Sequence, residues 1–207
     1  MQGYSQIVLK DYLSRMGELE TTNLISEFSC PLNKDVEYFL KHKAIEFEKQ
    51  NLSTTYLIFA SYKTVPVLVG YFVLASKALT FTKKAISNNL FRKLKRFAIY
   101  DPYMLTCTIP VPLIGQLGKN YSHGYNKLIS GDELLKLACD KVWSFQRSLS
   151  GKYVYLECED VEKLLDFYSD NGFVQFGKRN VEKDEAAVIK GRYLIQMIKD
   201  LKAGSDD

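Results

Sequence analysis

Two stretches of this chain have residue types and spacings suited to chemistry. Leu113 to Gly131 reads as a strand, a loop and the start of a helix. A helix opening at Gly131-Asp132-Glu133 leaves free N–H groups in its first turn, at the positive end of its dipole. A diphosphate is a natural ligand for such a place. Every α/β protein has turns of this kind, so a plain connection fits the segment equally well. The second stretch is 76–100. Lys77, Lys83, Lys84, Arg92, Lys93, Lys95 and Arg96 are interleaved there with Phe81, Leu90, Phe91, Leu94 and Phe97, without one acidic residue. Such a segment can track a phosphate backbone. It can also be an amphipathic surface helix, its apolar members packed on the sheet or on a second copy of the chain.

Other chemistries are missing. There is no Gly-x-x-x-x-Gly-Lys-Ser/Thr loop and no Gly-x-Ser-x-Gly elbow. The only histidines are His42 and His123. His42 lies in a charged, helix-like stretch and is expected to be solvated. The four cysteines, Cys30, Cys107, Cys139 and Cys158, are far apart, so reduced buried thiols are expected rather than disulfides or a metal site.

Several elements must position these groups. Asn33 is placed to cap a helix in which Val36, Phe39, Leu40, Ala44 and Phe47 recur at helical spacing. Residues 4–20 read as weakly helical. Thr55 to Ala60 and Val67 to Leu74 read as two strands of an antiparallel hairpin. Pro110 and Pro112 allow an edge strand or a strand start but not a fully paired central strand at that point, which leaves Leu113 to Lys119 as the useful strand. A loop spans Asn120 to Ser130. A helix from Gly131 follows, with Leu134, Leu135, Ala138, Val142 and Phe145 on one face. Tyr153 to Cys158 is a strand. Val161, Leu164, Leu165 and Tyr168 mark a short helix that Gly172 stops. Strands begin at Phe173 and at Tyr193. The order predicts a single mixed α/β domain over 1–207, with a basic insert at 76–105 and a polar tail at 200–207.

Within this order, Phe167-Tyr168-Ser169-Asp170-Asn171-Gly172-Phe173 resembles motif B of the GNAT N-acetyltransferase superfamily. Ile114-Gly115-Gln116-Leu117-Gly118-Lys119, the loop, and Ser130-Gly131-Asp132-Glu133-Leu134-Leu135 resemble its motif A. The resemblance covers about 25–198. It implies a mostly antiparallel sheet with a splayed central strand pair and helices on both faces. It implies acetyl-CoA as cosubstrate, with Leu117, Gly118 and Lys119 facing pantetheine. Asn126, Lys127, Leu128, Ile129, Ser130 and Gly131 then form the pyrophosphate loop. Asn126 stands where the family has Arg or Gln, Ile129 where it has its first glycine, and Val161 where many members have asparagine. Backbone N–H groups do not depend on side-chain identity, and Lys127 adds charge. Tyr168 is implied as the general acid for the departing thiolate. A phenol suits this, having a pKa near 10. A core tyrosine on the stripe of Val161, Leu164 and Leu165 is the competing reading.

The layout of Phe28-Ser29-Cys30, Val69 to Leu74 and Ile109 to Leu113 resembles the GNAT branch that includes toxins acetylating aminoacyl-tRNA. That branch implies a tRNA acceptor, for which Lys83, Lys84, Arg92, Lys93 and Arg96 are candidate contacts, and an antitoxin protein as partner. No base is evident, because Leu113 to Lys119 contains no Asp, Glu or His. Glu157 and Glu159 are candidates through water, and equally fit as solvated strand-end charges. An α-amine, with a pKa of about 7.7–8, needs a base less than a lysine side chain does. Ile129 and Val161 keep a second reading open, a non-catalytic domain that binds coenzyme A or a protein.

Composition sets the frame. The chain has 207 residues, 46% apolar and 25% charged, with a net charge of +4. Residues 76–100 hold +7, leaving −3 on the rest. The longest apolar stretch, Val65 to Ala75, is too short to span a bilayer as a helix. The start lacks the basic and apolar regions of a signal peptide. A cytoplasmic protein without membrane attachment is expected.

Overall fold

The computed structural model describes residues 3–181 and 191–201. Most of the expected polar tail lies outside them. The elements are β1 (Ser5–Val8), α1 (Leu9–Ser26), α2 (Lys34–His42), α3 (Ala44–Lys49), β2 (Thr54–Tyr62), β3 (Val65–Thr82), α4 (Asn88–Lys95), β4 (Ile99–Asp101), β5 (Thr106–Lys119), a 3-10 turn (Ser122–Lys127), α5 (Gly131–Leu149), β6 (Tyr153–Glu159), α6 (Glu162–Asp170), β7 (Val174–Asn180) and β8 (Tyr193–Asp200). Contacts divide the chain into two compact units, 1–75 with 114–138, and 76–113 with 139–207. β3 and β5 are long enough to contribute to both. Every pairing with a defined register is antiparallel. The mixed α/β, mostly antiparallel sheet is the class expected from the sequence.

In the first unit the strand order is β1-β2-β3-β5. β2 and β3 form the expected hairpin, with Tyr62 opposite Val65. Its two turn residues, Lys63 and Thr64, take φ of 50° and 70°. Both are left-handed, as a tight hairpin turn needs, without the glycine or asparagine that usually supplies it. Leu9, Phe28, Leu40, Leu57 and Tyr71 are fully buried in the core. Asn33 caps α2 as expected, accepting from Asp35 and Val36 N–H. The helix expected to run on through Phe47 breaks at Lys43 (φ −121°, ψ −29°). α3 carries the stripe onward and lays Ala44 into the same core. The weakly helical start resolves into a four-residue strand, β1, and then α1.

In the second unit the order is β3-β5-β6-β8-β7, with β4 on β5. β3 continues to Thr82, burying Leu79 and Phe81 and exposing Thr80. α4 buries Leu94 and packs Leu90 and Phe91 on the same core as Tyr155 and Ile198. The 76–105 stretch is therefore built into this unit by its apolar half. β5 runs through both prolines, contrary to expectation. Pro110 and Pro112 occupy alternate positions, so their missing N–H groups fall on one edge of the strand. β4 pairs only with Thr106–Thr108, before either proline.

Candidate active site

In the first unit the end of β5 is locked from two sides. A Cβ on Gly118 would lie 2.3 Å from Val36 Cγ1, so α2 packs directly on the strand there. Gln116 Nε2 donates to Asp35 Oδ2 at 2.8 Å. Asn120 is 3% exposed. Its Oδ1 accepts from Ser29 N–H (3.1 Å) and Ser122 N–H (3.0 Å), while Nδ2 donates to the Leu68 carbonyl (2.9 Å). This one amide ties the Ser29 turn, β3 and the 3-10 turn together. Long-range bonds of this kind leave no local sequence signal, and the residue is absent from the predicted set.

The expected pyrophosphate loop follows. Lys119 Nζ donates to the Asn126 carbonyl at 3.0 Å, bringing these two predicted residues together. Leu128 N–H donates to the Tyr125 carbonyl at 3.0 Å. The Leu128 carbonyl accepts from the Tyr4 hydroxyl at 3.1 Å. Ile129 is 2% exposed, so it belongs to the core. Lys127 and Ser130 are exposed, and Leu117 and Gly131 are half-buried. At the start of α5, Ser130 N–H donates to Glu133 Oε2 (2.8 Å) and Glu133 N–H donates to Ser130 Oγ (3.0 Å). This is a capping box, legible in the sequence as Ser-x-x-Glu. Those hydrogen bonds hold the Glu133 carboxyl below its usual range. Burial, and Glu133 beside it, push the Tyr4 phenol up to about 12. The half-buried Gly131 amide, at the start of α5, is the loop amide placed for an anion. The donor set therefore fits a pyrophosphate through backbone and lysine, with Glu133 competing for the Ser130 amide.

In the second unit Tyr168 sits in the last turn of α6. Gly172 takes φ of 80°. Gly172 N–H donates to the Ser169 carbonyl (2.9 Å) and Phe173 N–H to the Tyr168 carbonyl (3.0 Å). The rings of Tyr168 and Phe173 meet edge-on at 5.9 Å. This is a Schellman motif with its hydrophobic contact. The spacing Tyr-x-x-x-Gly-Phe is what that cap demands. Val161 is 45% exposed and no residue of α6 is fully buried. Leu164, Leu165 and Tyr168 are half-buried, so the stripe that suggested a core tyrosine is partly packed and partly open. Burial around the phenol, and the neighbouring Cys158, raise the Tyr168 pKa above its ordinary value. Burial raises that Cys158 thiol in turn, to about 11. Among the described residues the Tyr168 hydroxyl has no hydrogen-bond partner.

The two base candidates differ. Both oxygens of Glu157 are held. One accepts from the Tyr155 hydroxyl, and the other from Arg179 Nε at 2.6 Å. Gln196 Nε2 donates to the same Tyr155 hydroxyl at 2.9 Å. Glu157 is a structural carboxylate joining β6 to β7. Glu159 is half-buried at the strand end, outside this network.

The basic residues of the same unit lie on α4 and its approach. Ser87 caps the helix through Leu90 N–H. Lys83, Lys84, Arg92, Lys93 and Arg96 are all exposed. Lys83, Arg92 and Arg96 line one depression of about 630 Å³, together with Lys95. Lys84 lines a second, of about 510 Å³, with Lys178, which the sequence did not single out. Lys93 lines neither. All four cysteines are buried, and none is in a disulfide. His42 is exposed. No helix among the described residues is long and apolar enough to cross a membrane.

No protein-family model matches the chain, and no curated protein matches it. Solved structures do. A tyrosine-to-phenylalanine mutant of KacT is similar over 95% of this chain and 94% of its own, at 18% identity and a TM-score of 0.60. AtaT complexed with acetyl-methionyl-tRNAfMet is similar over 93% and 94%, at 18% identity and a TM-score of 0.57. A tyrosine-to-phenylalanine mutant of the AtaT toxin, bound to the C-terminus of the antitoxin AtaR and acetyl-CoA, is similar over 95% and 92%, at 15% identity and a TM-score of 0.56. The chain thus has the mixed α/β, GNAT-like fold that its motifs led us to expect, and these structures share it.

Proposed function

We propose that the protein is an N-acetyltransferase that moves an acetyl group from acetyl-CoA to a primary amine. The observation that carries this is Tyr168, whose unpartnered hydroxyl is held in place by the Schellman cap that motif B encodes. Acetyl-CoA supplies an activated thioester when bound. Lys119, Lys127 and the amide of Gly131 would hold its pyrophosphate. The amine nitrogen forms the new C–N bond as the C–S bond breaks. Tyr168 gives its proton to the departing sulfur, and the amine gives up one proton. With Glu157 committed to Arg179 and Tyr155, Glu159 is the carboxylate left to receive that proton through water. An α-amine acceptor needs that help least.

The acceptor we favour is the α-amine of an aminoacyl-tRNA. The exposed cations of α4 support it, as does the tRNA complex of the similar AtaT structure. A protein partner of antitoxin type is the corresponding regulator, by likeness to the AtaR-bound structure. The capping box favours one other reading. If Glu133 keeps the Ser130 amide, the domain binds coenzyme A weakly or not at all and acts without catalysis. Calorimetric titration with acetyl-CoA separates these. Saturable binding is expected, and no heat at millimolar cofactor contradicts the transferase.

A further inference from the structure

The hairpin after α4 displays apolar side chains that its own unit does not bury. Ile99, Tyr103, Met104 and Leu105 are 75%, 95%, 71% and 65% exposed, and Phe97 and Tyr100 are exposed beside them. Single exposed apolar residues are ordinary, but a cluster on one turn marks an interaction surface. The turn is built to hold them outward. Asp101 Oδ1 accepts from Tyr103 N–H (2.8 Å) and Met104 N–H (3.0 Å), which fixes the tip where β4 has only three residues. Leu105 takes φ of 54°, a conformation leucine rarely adopts.

The surroundings are cationic. Lys95 Nζ lies 5.5 Å from the Tyr100 ring centre and Lys152 Nζ 6.0 Å from that of Phe97. Arg92, Lys93 and Arg96 are exposed on the adjoining α4. Asp101 is the one carboxylate in 76–105, and it is used inside the turn. Aromatic faces interleaved with ammonium and guanidinium groups match unpaired nucleotides, whose bases stack while their phosphates pair. An apolar protein surface would leave those cations without complement.

We propose that the Phe97–Leu105 hairpin is a stacking platform for unpaired nucleotides of RNA, with Tyr100 and Tyr103 as the stacking rings and α4 as the phosphate rail. The inference rests on the RNA-acceptor reading above and adds a place where bases, not only phosphates, are held.

The test is fluorescence anisotropy at stepped salt, with an unstructured 12-nucleotide RNA, a duplex of that length, and phosphatidylserine vesicles as a third probe. The wild type should bind the single strand at least about tenfold more tightly than the duplex. Tyr100→Ala with Tyr103→Ala should abolish that preference and leave the salt slope unchanged, whereas Tyr103→Phe retains it. Arg92→Gln with Lys93→Gln should instead flatten the slope. Equal affinity of the double tyrosine variant for the single strand overturns the platform. So does vesicle binding without RNA binding, or a wild-type dimer that the tyrosine changes dissociate. A variant that loses stacking with no effect on folding is recognised by its unchanged melting temperature. If the double variant still acetylates aminoacyl-tRNA at the wild-type rate and KM, the acceptor reading stands and the platform falls. If the wild type acetylates small amines only, both fall.

Discussion

Phe173 N–H donates to the Tyr168 carbonyl at 3.0 Å, while the two rings meet at 5.9 Å. The cap that ends α6 therefore also packs Phe173 against the phenol we assign as acid. Gly172 makes this cap possible, at φ of 80°. Gly172→Ala should cost about 1 kcal/mol of stability. It should lower acetyl transfer more than acetyl-CoA affinity. Denaturant unfolding and initial rates check this; equal losses in rate and affinity would count against the positioning role.

Glu133 sits on an amide of the loop expected to bind pyrophosphate. Glu133→Gln keeps an acceptor for Ser130 N–H and removes the negative charge. Acetyl-CoA affinity should rise several-fold, while the helix loses about 0.3–1 kcal/mol of dipole stabilisation. Calorimetry and thermal melting read the two effects. Weaker cofactor binding in the variant would mean that the capping box organises the cradle rather than competing with it.

Gly118 gives α2 its close approach to β5. Gly118→Ala should destabilise by about 1–3 kcal/mol through overpacking against Val36. Adding Val36→Ala should return part of that loss. A double-mutant cycle by urea unfolding checks the coupling, and strictly additive losses would refute the contact.

The glycine stop after Tyr168, the helix start at Gly131 and the order of the large elements were legible because each is local. Helical spacing, a Ser-x-x-Glu start and a glycine stop are carried by neighbouring residues. What escaped was long-range or short. β1 has four residues and exists through its pairing with β2. β5 passes through Pro110 and Pro112, whose missing donors fall on one edge of the strand. Glu157 read equally as a base acting through water and as a solvated strand-end charge until Arg179 and Tyr155 were placed beside it. Asn120 joins segments up to 91 residues apart. The charge of 76–100 was plain in the sequence, and so was the reading in which its apolar members pack on the sheet, as Leu90, Phe91 and Leu94 do.

Glu37 gives the clearest pH signature. The Cys30 N–H, aided against burial by Lys41 and Lys34, holds its carboxyl down to about 2. Its unfolded value is about 4.3. The folded pKa is the lower, so its contribution is complete above about pH 5 and is lost as pH falls toward 2. Glu37→Gln should cost about 1 kcal/mol at pH 7, after allowance for solvent screening. The gap should narrow by about half by pH 3. A gap independent of pH would show that packing, not charge, accounts for it.

The most direct measurement is transfer of labelled acetyl from acetyl-CoA to an acceptor panel of aminoacyl-tRNA, polyamines, protein N-termini and aminoglycosides, with wild type and Tyr168→Phe compared. The account predicts label on an α-amine, most rapidly on aminoacyl-tRNA. It predicts turnover at least about tenfold lower in Tyr168→Phe at nearly unchanged acetyl-CoA affinity. Label on no acceptor despite bound cofactor, or equal turnover in the two proteins, would contradict it.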